Sequence, residues 1–135
     1  MNVKLSVLAD FASITREGKL NILGIFDELN TTEFPARLPI FYVVVAYEAG
    51  PAEFDSEKAT QIVLTDDDGN EMVRLEQRIK VSRAKRPGTR STMNQITGIA
   101  GLLFPKAGGY QFAILIDGGE ATTIGLRVNE MKEAS

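Results

Sequence analysis

The chain alternates. The dominant period of apolar and polar side chains is two, and no stretch holds a convincing helical period. Val3, Leu5, Val7 and Ala9 alternate with Lys4, Ser6 and Asp10. Val73, Leu75, Ile79 and Val81 alternate with Arg74, Glu76, Arg78 and Lys80. Tyr110, Phe112, Ile114 and Ile116 are followed by Thr122, Ile124, Leu126 and Val128. A period of two is the signature of strands with one face on a core. Ile40 to Tyr47 is apolar throughout and rich in Val, which predicts a central strand. Turn signals separate the runs. Gly18, the Asp66–Asn70 stretch with Gly69, and Asp117-Gly118-Gly119-Glu120 all place residues tolerant of left-handed dihedrals between strands.

Two segments are less regular. Leu20 to Leu29 is apolar in both phases, which predicts one strand covered on both faces and bulged at Gly24. Met93 to Phe104 fits a strand, although Met93, Ile96, Ala100 and Leu103 would also line a helix. Gly98 and Gly101 weigh against the helix. The sum is about eight strands in one all-β domain over residues 1–130, an antiparallel β-sandwich with a β-barrel as the alternative. Residues 131–135 are expected to form a flexible tail. At 135 residues the chain is long enough to bury a core without staples.

One local pattern resembles the E–F corner of immunoglobulin-like sandwiches. It runs Phe104-Pro105-Lys106-Ala107-Gly108-Gly109-Tyr110-Gln111-Phe112. In such corners a tyrosine near the start of a strand returns its hydroxyl to the upstream backbone. Tyr110 takes that structural role here. More broadly, the chain resembles an uncharacterised family of short bacterial all-β proteins. The resemblance rests on Leu8-Ala9-Asp10, on Gly18-Lys19-Leu20-Asn21-Ile22-Leu23-Gly24-Ile25-Phe26-Asp27, and on Gly109 to Phe112 with Asp117-Gly118. It implies the fold and brings no catalytic residues with it.

Composition removes most chemistries. There is no Cys and no His. That excludes thiolate and imidazole catalysis, iron–sulfur clusters and ordinary zinc sites. The glycines form no phosphate-binding fingerprint. The acidic Asp66–Glu71 stretch lacks the spacing of a calcium loop and reads as a solvated hairpin tip. Asp10, Asp27 and Glu28 are carboxylates near apolar strands, yet nothing makes them converge. The expectation is a non-enzymatic protein with no cofactor and no metal. No apolar run reaches the length of a membrane span, and no leader pattern opens the chain. A cytoplasmic protein follows as the default.

Charge is the one marked asymmetry. Arg78, Lys80, Arg83, Lys85, Arg86 and Arg90 fall within a single stretch that contains no acid, whereas the whole chain carries −3. Such a segment suits an acidic protein partner, an anion or the acidic body of a second copy. The plain alternative is a solvated loop around Pro87-Gly88. Nucleic acid is disfavoured, because no aromatic residue interleaves the cations. The functional expectation is therefore a non-enzymatic interaction or assembly module that self-associates or docks an acidic partner through this loop. The alternative is a binding pocket between the sheets, with Tyr42, Tyr47 and Tyr110 as polar handles.

Overall fold

The computed structural model describes residues 1–132. The last three residues of the expected tail lie outside the described residues. Eleven strands succeed one another: β1 (Asn2–Ile14), β2 (Leu20–Phe26), β3 (Glu28–Thr31), β4 (Ala36–Leu38), β5 (Phe41–Ala49), β6 (Glu57–Thr65), β7 (Glu71–Lys80), β8 (Ser91–Ile99), β9 (Leu102–Phe104), β10 (Gly108–Ile116) and β11 (Gly119–Glu130). The strands beyond the eight expected are short pieces such as β3, β4 and β9. The only helical turn among the described residues is a 3-10 turn at Pro51–Glu53. Among the described residues no helix is long and apolar enough to cross a membrane.

Four strands form one sheet in the order β2-β1-β5-β8. Five form the other in the order β3-β11-β10-β6-β7, and β4 and β9 make a separate ribbon. All pairings are antiparallel except β3 with β11. The fold is thus all-β, with the two larger sheets packed as a sandwich.

The alternation read from the sequence explains the layers. Phe41, Val43, Val45 and Tyr47 point from β5 into the space between the sheets and are buried. Leu64, Phe112, Ile114, Leu126 and Val128 meet them from the second sheet. Edge-to-face aromatic contacts run through this core: Phe26 to Phe41 and Phe41 to Phe112, each with 6.0 Å between ring centres. That geometry suits the ring quadrupoles. Burying this set is the main driving force for the fold.

The turns behave as their residues dictate. Asp117 and Gly118 take φ of 49° and 83°, which closes a two-residue hairpin between Ile116 and Gly119. Gly69 has φ of 80° in the Asp66–Asn70 turn. The Tyr110 hydroxyl donates to the Lys106 carbonyl at 2.6 Å, the bond such a corner calls for.

The Leu20–Leu29 reading needs correction. The stretch is two strands, not one. At Asp27 the chain leaves the first sheet for the second, where the Asp27 carbonyl accepts the Arg127 amide at 2.9 Å. Nor is it covered on both faces: Leu23 is 68% exposed and Ile25 61%. The segment from Met93 is strand, as expected, but it breaks at Gly101, whose φ is +72°.

Candidate functional site

The basic segment is pinned at both ends. Val81 is buried, and its amide donates to the Ser56 carbonyl at 2.8 Å. The Ser82 and Ser91 hydroxyls bond each other at 2.8 Å. Between these points the backbone turns at Pro87-Gly88, where the Thr89 hydroxyl donates to the Arg86 carbonyl at 2.7 Å.

The structure splits the six cations of this segment. Arg78 and Lys80 belong to β7 and are exposed. Arg78 lies 3.6 Å from Glu57. Arg83 reaches Asp55 at 2.6 Å, and that bond raises its guanidinium above the ordinary value. Arg90 is paired with Glu48 and also donates to Asn2 at 3.2 Å. Lys80, Lys85 and Arg86 form no ion pair among the described residues. Lys85 and Arg86 line an open cleft of about 420 Å³, together with Arg83, Arg90 and Thr92. Glu17 and Gly18, at the turn between β1 and β2, form part of its wall.

The acidic stretch is occupied by its own turn. The Asp66 carboxylate accepts the amides of Asp68 and Asn70 at 2.9 Å each. The Asn70 amide does most to hold that carboxyl below its ordinary value. Asp67 accepts the Gly109 amide at 3.0 Å, and Asp68 lies 3.4 Å from Lys106. Among the described residues no three carboxylates gather to hold a metal ion. Asp10, Asp27 and Glu28 are exposed.

Two features had no place in the sequence reading. The first is a buried polar lock between the sheets. Tyr47 on β5 donates to Gln95 Oε1 on β8 at 2.8 Å. Gln95 Nε2 donates to Thr60 Oγ1 on β6 at 3.0 Å and also to Gln77 Oε1 on β7. Burial pushes the Tyr47 phenol up to about 12. Thus two of the three candidate polar handles, Tyr47 and Tyr110, already spend their hydroxyls inside the fold.

The second feature is an apolar surface on the hairpin of β1 and β2. Phe11 and Leu23 stand directly opposite each other, and Ile25 stands opposite Ala9. The Phe11 ring meets Tyr42 edge-on at 6.0 Å. Tyr42 and Ile40 both lie over Gly98, within 3.6 Å of where a Cβ would stand. Phe11 is 50% exposed and Ile40 54%. Beneath this surface Ala9, Ala12 and Val44 form a second buried cluster, packed by Leu20, Ile22 and Ile96. Gly24 is required at the centre of β2. Its φ is +73°, and a Cβ there would collide with the Asp10 carboxylate. The signal in the sequence is the absence of any charge from Leu20 to Phe26.

These observations define an all-β sandwich with an uncovered apolar hairpin and a divided basic segment. Residues 4–129 match a family described as a family of unknown function, DUF6941, and the chain belongs to that family. No curated protein matches the chain.

Proposed function

We propose that this protein is a binding module without a reaction of its own, which joins another protein chain through the apolar face and free edge of the β1–β2 hairpin. One observation carries the reading: β2 ends its sheet, has no charged residue, and leaves Leu23 and Ile25 more than half exposed. Bare, uncharged edge strands invite pairing with another chain, and proteins usually blunt them. The outer strand at the far end of the other sheet is blunted in that way, since β7 carries Arg74, Glu76, Arg78 and Lys80. Covering Phe11, Leu23 and Ile25 would recover about 3–5 kcal/mol of burial, at ~1.5–3 kcal/mol for a fully buried side chain.

The strand pairing favours an immunoglobulin-like interaction domain. β5 pairs β8 in one sheet, β6, β10 and β11 are neighbours in the other, and Tyr110 caps the corner. A second reading assigns an acidic group of a partner to the cleft of Lys85 and Arg86, because among the described residues these two cations form no ion pair.

The test is a photo-crosslinking side chain placed at Ile25, with Glu120 as an exposed control, in cells that make the protein. Capture of a protein chain at Ile25 and not at Glu120 is expected. Equal or absent capture at Ile25 overturns the proposal.

A further inference from the structure

The chain that covers β2 is, we infer, a second copy of this one: two β2 strands pair edge to edge, antiparallel, about a two-fold axis at Leu23. The inference rests on the reading above and names its partner. The two four-stranded sheets then become one of eight strands.

The backbone sets the parity. The Thr15 amide bonds the Lys19 carbonyl at 2.8 Å. In an antiparallel pair such bonds alternate, so Leu20 and Ile22 turn their amides and carbonyls away from β1; the pairing is interrupted at Gly24 and resumes at Ile25. These are the groups a second strand would meet.

Charge then selects the partner and the register. The apolar stretch has a lysine at one end, Lys19, and an acid at the other, Asp27. Both are exposed, and neither forms an ion pair within the described residues. A two-fold axis perpendicular to the sheet keeps each residue on its own face, so only alternate registers are allowed. With the axis at Leu23, Lys19 of each copy faces Asp27 of the other, and Leu20 faces Phe26. With the axis at Ile22, Glu17 is brought towards Asp27, acid to acid. With the axis at Gly24, Leu20 faces Glu28. A parallel, level pairing sets Lys19 beside Lys19. Only the Leu23 axis matches opposite charges at both ends of the uncharged stretch.

The experiment uses the full chain in solution. Light scattering after size exclusion is expected to give twice the 14.8 kDa of one chain. Lys19→Asp and Asp27→Lys each turn two attractive pairs repulsive and are expected to weaken the dimer about tenfold or more. The double variant Lys19→Asp/Asp27→Lys restores it. The chain has no cysteine, so any disulfide from a single introduced cysteine is between copies. At the axis the two Cα atoms would be ~4.5 Å apart, within disulfide reach. Leu23→Cys therefore closes a covalent dimer on mild oxidation, whereas Asn21→Cys, which faces Ile25, does not. Melting temperatures of the reduced variants that match the wild type at concentrations where both are monomeric show that they fold. A monomer at all concentrations overturns the inference, as does a double swap that fails to restore dimerisation, or equal crosslinking at Asn21 and Leu23. If the purified chain is monomeric while Ile25 captures a different protein in cells, the second copy is ruled out and the binding-module reading stands.

Discussion

Removing the Gln95 side chain tests how the two sheets are locked together. Gln95 is 8% exposed and Tyr47 0%. Gln95→Leu keeps the volume roughly constant but removes the acceptor that the Tyr47 hydroxyl uses. An unsatisfied buried hydroxyl costs ~1–3 kcal/mol. Gln77 and Thr60 lose a donor as well, but Gln77 is exposed and can turn to water, and Thr60 keeps its bond to the Gln77 carbonyl at 3.3 Å. We expect a loss of about 2 kcal/mol, near 6–10 °C in melting temperature for a chain of this size. Tyr47→Phe removes the donor instead, leaves Gln95 Oε1 bare, and should cost ~1–2 kcal/mol. In the double variant neither orphan remains. The two losses should therefore fall short of adding by about 1 kcal/mol. Urea denaturation measures this through the midpoints, with the slope unchanged. Strict additivity would show that the Tyr47–Gln95 bond does not hold the sheets. The phenol supplies a second readout. Its folded value near 12 lies above its unfolded value, so its contribution is full below about pH 10 and fades as pH rises through 12. In an absorbance titration Tyr47→Phe should remove the step near pH 12.

Two further outcomes follow from the hairpin of β6 and β7. Gly109→Ala would set a Cβ 2.8 Å from Asp67 Oδ1, so a loss of ~1–2 kcal/mol is expected; Asp67→Ala should relieve most of it, and equal losses in both backgrounds would refute the contact. Asp66 has its carboxyl lowered by the Asn70 amide, so its contribution is present above the unfolded value and disappears as the pH falls through the folded one; thermal melts from pH 7 to pH 2 should show a shallower acid limb for Asp66→Asn, and identical limbs would refute the assignment.

What the sequence reveals depends on how local the cause is. The alternation of Val73 to Val81, the Asp117-Gly118 turn and the Tyr110 corner are set by neighbours in the chain, and they were legible. The fate of the basic segment was not. Asp55, Glu57 and Glu48, which neutralise Arg83, Arg78 and Arg90, come from segments distant in the chain and brought alongside by folding. Leu20 to Leu29 failed for a related reason. Hydrophobicity says that Leu23 and Ile25 belong against something apolar, but not whether that partner lies in the same chain. The change of sheet at Asp27 leaves no trace in the apolar pattern. Gln95 reads as an ordinary polar strand residue until Tyr47 and Thr60 arrive beside it.

The hairpin that presents the apolar surface is also the one the fold holds most deliberately from below. Leu20 and Ile22 pack against Ala9, Ala12 and Val44, while Leu23, Ile25 and Phe11 stay outside. Neighbouring residues of one short strand thus serve two different contacts. Because the inner set is buried, the outer set is presented on a fixed backbone. Pairing then orders few additional groups, which lowers the entropic cost of association. Gly24 belongs to the same arrangement, since its positive φ and the Asp10 carboxylate in place of a Cβ fix the path of the strand at its centre. If β2 were merely an unguarded edge, a charge at Leu23 would improve solubility and alter nothing else. If it is a prepared one, Leu23→Lys should abolish assembly while leaving the melting curve of the monomer intact, and loss of both together would show that the residue serves the core.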